Sequence, residues 1–250
     1  MKTLDESKLS HAKTQKFDFK IGDYFNQAIT IFSNNWQDFT LFALASAGIY
    51  LLSIFTIIGP YFIMFPLMIG YGIVTEKIEK GENFVFNDFF KGFDKWQDFL
   101  VLILIIFAFS LLFIIPYFFF LFGIGLFSDN PEEISPFVGL SIVFIFPFFM
   151  LIGIVFSVLI FLPPYLIYYG NMGAIESIKQ SIQIAKKNFW YLLLFVLLQS
   201  VISQLGAFAC YIGLLATIPF GYIMGYLLIK DMLLTDDSKT EIDLLGTNQE

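Results

Sequence analysis

The chain has 250 residues, is 58% hydrophobic and 14% charged, and has a mean hydropathy of +0.78, against roughly 45–50% apolar and 25% charged in soluble domains. That composition excludes a soluble domain and points to a polytopic membrane protein, since uncharged apolar runs longer than about 18 residues are membrane spans. The net charge is -7 and all 14 basic residues are Lys, which gives no footing for nucleic-acid binding, and the single cysteine, Cys210, excludes an intramolecular disulfide.

Residues 1–18 read as a disordered, Lys-rich tail without the apolar core of a cleavable signal peptide. His11 lies in it as a solvated side chain. Ile21–Trp36 predicts an amphipathic helix: Phe25, Ile29, Phe32 and Trp36 recur at helical spacing, with Asp23, Asn26, Gln27, Thr30 and Asn34 on the polar side. Phe39–Thr75 carries no charge. It fits two spans of about 20 residues each, joined by a turn at Ile58-Gly59-Pro60.

Glu76–Lys95 is a polar connector with Lys77, Lys80, Lys91 and Lys95. Val85, Phe89, Gly92 and Trp96 give it a weaker apolar stripe, and Gly81 and Gly92 argue against one continuous helix. Phe99–Phe127 is the third span, followed by an acidic turn at Ser128–Pro136. Phe137–Asn171, interrupted by Pro147 and Pro163-Pro164, reads as one kinked crossing or as a span with a re-entrant piece. Two full crossings there would put Lys179, Lys186 and Lys187 on the side opposite the other lysines.

Ala174–Trp190 predicts a second amphipathic helix, with Ile175, Ile178, Ile182, Ala185 and Phe189 on its apolar face, suited to a membrane surface. Trp190–Ile229 again fits two spans, with a turn between Gly206 and Gly213. Residues 235–250 read as a disordered acidic tail.

The expected fold class is therefore an all-α membrane bundle of six spans plus interfacial helices. Residues 19–234 form one membrane domain between tails 1–18 and 235–250. Every Lys then falls on one side, while Asp129, Glu132 and Glu133 fall on the other. The positive-inside rule places both termini in the cytoplasm, with Lys77, Lys80, Lys91, Lys95, Lys179, Lys186 and Lys187 setting the topology.

The domain reads as three parallel units, 19–78, 83–173 and 174–234. Trp36-Gln37-Asp38-Phe39 recurs as Trp96-Gln97-Asp98-Phe99, and a Pro precedes a Gly at matched spacing in Pro66/Gly72, Pro164/Gly170 and Pro219/Gly225. Trp36, Trp96, Phe189 and Trp190 sit where interfacial aromatics anchor helices, and most of the tyrosines read as anchors by the same logic.

Two stretches carry a family resemblance: Ala174–Trp190, of the form A-x-x-S-x-x-x-x-x-K-x-x-F-W, and Pro219-Phe220-Gly221-Tyr222 leading to Lys230-Asp231. They resemble uncharacterised bacterial integral membrane proteins, including the membrane domain fused to some glycerophosphodiester phosphodiesterases. The resemblance implies six helices in a bacterial inner membrane. It does not imply phosphodiesterase activity, which belongs to a separate soluble barrel.

No ionisable residue of the kind that builds a proton relay falls within a span, no His/Cys/Asp cluster has metal-ligand spacing, and no Ser has a His base. No catalytic, metal or cofactor residue is therefore assigned, and an enzyme is not expected. The most polar intramembrane feature is Gln199, Ser200, Ser203 and Gln204, on one helical face. These residues either line a cavity or bond neighbouring helices. The two functional readings are a non-enzymatic scaffold that binds a partner at the membrane, and a transporter or flippase for a lipid-like or small apolar substrate. The lipid bilayer is the one partner the sequence implies.

Overall fold

A computed structural model describes residues 2–56, 59–126, 136–208 and 212–235, with backbone only at residue 117 and residues 120–126 and 136–146. The acidic turn with Asp129, Glu132 and Glu133, the Ile58 position of the first hairpin, Cys210 and the acidic tail lie outside the described residues. The described chain is all-α. Its helices are α1 (Glu6–Thr14), α2 (Ile21–Asn34), α3 (Trp36–Ser53), α4 (Gly59–Glu79), a 3-10 helix (Phe86–Lys95), α5 (Trp96–Leu126), α6 (Pro136–Phe161), α7 (Pro163–Gly170), α8 (Ala174–Phe208) and α9 (Leu214–Leu233).

Five helical segments are long and apolar enough to cross a membrane: Gly59–Glu79, Phe86–Pro116, Pro147–Gly170, Ala174–Phe208 and Leu214–Leu233. Helix α3 is apolar after its first turn, but Trp36-Gln37-Asp38 occupies that turn, so its apolar part is shorter than the ~20 residues of a full span. The helices sort into an inner and an outer set. The apolar windows of α4 and α9 are 67% and 50% buried, those of α5 and α8 17% and 22%.

Residues 2–18 are not a disordered tail. Asp5 caps α1 by accepting from the Ser7 and Lys8 amides, which satisfies donors a helix start leaves open. Leu9 and Ala12 turn inward and are buried. Leu4 pairs with Leu234 in an antiparallel bridge, the Asp5 amide donates to the Leu233 carbonyl, and the Thr235 amide donates to the Thr3 carbonyl. The two ends of the described chain are thus stitched together. The polar composition conceals this because the strap is held by backbone groups and two small apolar contacts.

The connector also packs. Its glycines are placed for contact: a Cβ on Gly70 of α4 would meet the Phe89 carbonyl at 1.9 Å, and one on Gly92 would meet the Pro66 carbonyl at 2.1 Å. The 3-10 helix therefore lies backbone to backbone on α4, buries Phe89 and Asp88, and stacks Phe89 on Phe42 of α3 at 4.3 Å. Gly81 turns the chain at φ +67°, a region that favours glycine. Of the expected stripe, Phe89 and Gly92 are buried, whereas Val85 and Trp96 are exposed.

The segment 137–171 is one broken rod: α6 and α7 meet at Leu162, immediately before Pro163-Pro164. Helix α8 joins the expected surface helix to the following apolar run, with a kink where Asn188 leaves helical geometry (φ -115°, ψ 19°). Its buried face overlaps the expected stripe only in part, through Ala185 and the flanks of Ile178 and Phe189. Ala174, Ser177, Ser181, Ile184, Ala185 and Asn188 face inward, while Ile175 is 61% exposed. Close approach to α6 and α1 selects small and polar residues there, while Ile178 and Phe189 of the expected stripe pack against the edge of the core.

Candidate functional site

The lysine-bearing end of the bundle is where α1, the 3-10 helix and the ends of α4, α7 and α9 meet. Asp88 is nearly inaccessible, yet it accepts from Lys77 Nζ at 2.7 Å, Lys91 Nζ at 2.6 Å and the Val85 amide at 2.9 Å. Burial opposes its ionisation, but the Lys77, Lys91 and Val85 hydrogen bonds outweigh burial and hold its carboxyl well below the usual carboxylate range. Glu76 pairs with Lys80 at 3.0 Å and accepts from the Lys2 amide. Glu79 pairs with Lys230 at 2.7 Å, tying α4 to α9. Lys95 donates to Asn171 Oδ1 just after α7.

Four of the lysines expected to set the topology, Lys77, Lys80, Lys91 and Lys95, are fasteners within and between elements. Lys179, Lys186 and Lys187 lie on α8 outside its buried face. The spacings of Glu76 to Lys80 and Asp88 to Lys91 are a legible signal for two of these pairs. Nothing local in the sequence identifies the longer-range ones.

Two further contacts fix the surface elements on this end. Asn188, fully buried at the α8 kink, accepts from the Phe17 amide at 2.8 Å and donates to the Ala12 carbonyl at 2.8 Å. Tyr24 of α2 donates to Asp231 Oδ2 of α9 at 2.6 Å. Burial first, then the hydrogen bond to Asp231, pushes the Tyr24 hydroxyl far up, so it remains a donor.

Below this end, α4, α7 and α9 pack tyrosine against glycine. A Cβ on Gly72 would lie 3.1 Å from Tyr169 Oη and 3.2 Å from the Tyr226 ring, and one on Gly225 would lie 2.7 Å from Tyr165 Oη. Tyr71 and Tyr222 approach at 5.2 Å between centroids. Tyr71, Tyr165, Tyr169 and Tyr226 are all buried, so these expected interfacial anchors are core residues. Tyr50 and Tyr61, by contrast, are exposed. Only the absence of a side chain at the glycines gives the rings room, which is why the recurring Gly matters.

The expected polar face on α8 divides. Gln199 Nε2 donates across to the Gly221 carbonyl of α9 at 3.0 Å. Ser200 and Ser203 donate to the Val196 and Gln199 carbonyls of their own helix, and Gln204 is exposed. The anchors Trp36, Trp96 and Trp190 are 54%, 45% and 78% exposed, and Phe189 is buried against the core on one side.

A cavity of about 520 Å³ opens between α3, α4 and α9, lined by residues that include Ala43, Ala47, Met64, Tyr71, Ile218 and Tyr222. None of Gln199, Ser200, Ser203 and Gln204 lines it. Among the described residues no cluster of three or more His, Cys, Asp or Glu is placed to hold a metal. Comparison with protein families, with curated proteins and with solved structures finds no match to this chain.

Proposed function

We propose that the protein is a non-enzymatic membrane scaffold, of the bacterial inner-membrane kind the resemblance implies, whose lysine-bearing end presents a partner-binding face to the cytoplasm. The carrying observation is the contrast between the two halves of the bundle. The centre is filled by tyrosine packed on glycine, while the fastened charges and the surface elements α1 and α2 gather at one end.

In this reading the chain crosses the membrane six times, with α3 as the shortest crossing, and both termini are cytoplasmic. The inner helices α4, α7 and α9 are equivalent members of three repeated hairpins. That equivalence is supported by the shared Pro-to-Gly spacing and by their common packing around the tyrosines.

A second reading, a transporter or flippase for a lipid-like or small apolar substrate, is favoured by the α3–α4–α9 cavity. One experiment separates the two. A deletion strain scored for envelope-stress sensitivity is complemented with K179E/K186E/K187E or with Ala47→Trp. The scaffold reading expects the charge reversal to abolish complementation and the cavity-filling variant to preserve it. The opposite pattern rejects the scaffold in favour of transport.

A further inference from the structure

We propose that the cavity between α3, α4 and α9 is a binding site for one acyl chain of a bilayer phospholipid. Its position, lining and length all lead there. Two of its three walls, α4 and α9, are among the helices able to cross a membrane, so the medium outside it is hydrocarbon. Tyr50 (48%), Leu51 (64%), Met64 (41%) and Ile218 (37%) line its rim and are exposed, so it opens sideways toward lipid.

The inner wall is Tyr71 and Tyr222, ring against ring. The Ser46 hydroxyl, on the α3 wall, is buried without a hydrogen-bond partner among the described residues. The lining is otherwise mostly apolar, with the Tyr50 side chain at the rim, and an apolar cavity of this size holds a hydrophobic guest in preference to water.

Length selects the guest. The α3 wall runs from Ala43 to Leu51, about 12 Å at 1.5 Å per residue. One leaflet of hydrocarbon is about 15 Å deep, half of a ~30 Å core. Ser46 lies about 15 Å along α3 from Trp36 at the same rise, which puts the closed end of the cavity near the bilayer midplane. The rim then faces the leaflet opposite the lysine-bearing end. A chain entering from that leaflet ends with its tip against Tyr71 and Tyr222. This inference does not depend on whether the protein is a scaffold.

The test uses the full chain reconstituted in phosphatidylcholine vesicles doped with a phosphatidylcholine that carries a diazirine near the tip of one acyl chain. After illumination, labelled peptides are mapped by mass spectrometry. Label is expected on the Ala43–Leu51, Ile63–Tyr71 and Leu214–Tyr222 walls, at least fivefold above the exposed α5 face at Leu104 and Leu112. Ala47→Trp, which fills the cavity, is expected to cut wall labelling at least fivefold and leave the α5 label unchanged. If that variant does not keep the wild-type elution volume, Ile218→Trp fills the site from the other wall. Even labelling of α5 and the walls overturns the proposal. So does cross-linking of a second copy through these walls, or capture of a free diazirine fatty acid with no capture of the phospholipid.

Discussion

Ser181 Oγ donates to the Leu159 carbonyl at 2.6 Å, and Leu159 is the residue whose acceptor the missing amide of Pro163 leaves open. A buried carbonyl without a donor costs about 1–3 kcal/mol. The break between α6 and α7 is thus stabilised from outside, by a serine on the packed face of α8. Ser181→Ala is expected to destabilise by that amount. In a Pro163→Ala background the restored amide takes the same acceptor, so the serine deletion costs less. A double-mutant cycle on unfolding in mixed micelles measures the coupling, and strict additivity contradicts the assignment.

Gly70 and Gly92 permit the contact of α4 with the 3-10 helix. Gly70→Ala and Gly92→Ala each push a methyl group into a backbone carbonyl at 1.9 and 2.1 Å, and each is expected to cost about 3 kcal/mol or more. At Gly48 in α3, a methyl group would meet nothing within 4 Å. Gly48→Ala is therefore expected to be neutral or to stabilise by up to about 1 kcal/mol. Melting temperatures of the three variants give the comparison.

The Tyr165 hydroxyl is buried, has no hydrogen-bond partner among the described residues, and points at Gly225. Tyr165→Phe removes an unsatisfied group and is expected to be neutral or slightly stabilising. Gly225→Ala is expected to cost about 1–3 kcal/mol from overpacking against that hydroxyl. The cost should fall when Tyr165 is already Phe. A loss of stability in Tyr165→Phe comparable to that of Gly225→Ala would show that the hydroxyl has a partner after all.

Asp88 sets a pH dependence. Its folded carboxyl titrates below its unfolded value of 3.8. The stability it contributes is therefore complete above about that pH and is lost as pH falls through the folded value. Asp88→Asn is expected to be less stable than wild type at pH 7, with the gap closing under strongly acidic conditions. A gap that does not depend on pH refutes the ion-pair assignment.

Asn188→Ala removes the contacts to Ala12 and Phe17 from a fully buried position. Release of the N-terminal strap is expected, read as faster tryptic cleavage at Lys13 and Lys16 with the rest of the bundle intact. An unchanged cleavage rate means the strap is held elsewhere.

Much of this architecture is legible in the sequence because membrane insertion writes itself into composition. The uncharged stretches predict the apolar helices, and Pro163-Pro164 predicts a break in the α6–α7 rod. The connections that place surface elements are less legible. Nothing in the polar segment 1–18 signals that Leu9 and Ala12 are buried, because its order depends on Asn188 and Leu234 far along the chain. Hydrophobicity alone sets the packed face of Ala174–Trp190 askew on α8, since it ranks Ile175 above the Ser177 and Ser181 that fit a tight helix contact. Gln199 stands out as polar, but its acceptor is a backbone carbonyl that no side-chain pattern reports. Gly92 counts against a helix by propensity, whereas it is the residue that lets one pack.

The pairing of Leu4 with Leu234 has a consequence for biosynthesis. Ribosomes extend chains at about 5–20 residues per second, so roughly ten to fifty seconds separate the emergence of these two partners. Through that interval the first segment leaves the ribosome without its dock, exposed to chaperones and proteases. Any product truncated before α9 lacks the Leu4–Leu234 pairing and holds α1 by its contacts with α8 alone. Order in residues 3–5 thereby reports locally that α9 has been made and seated.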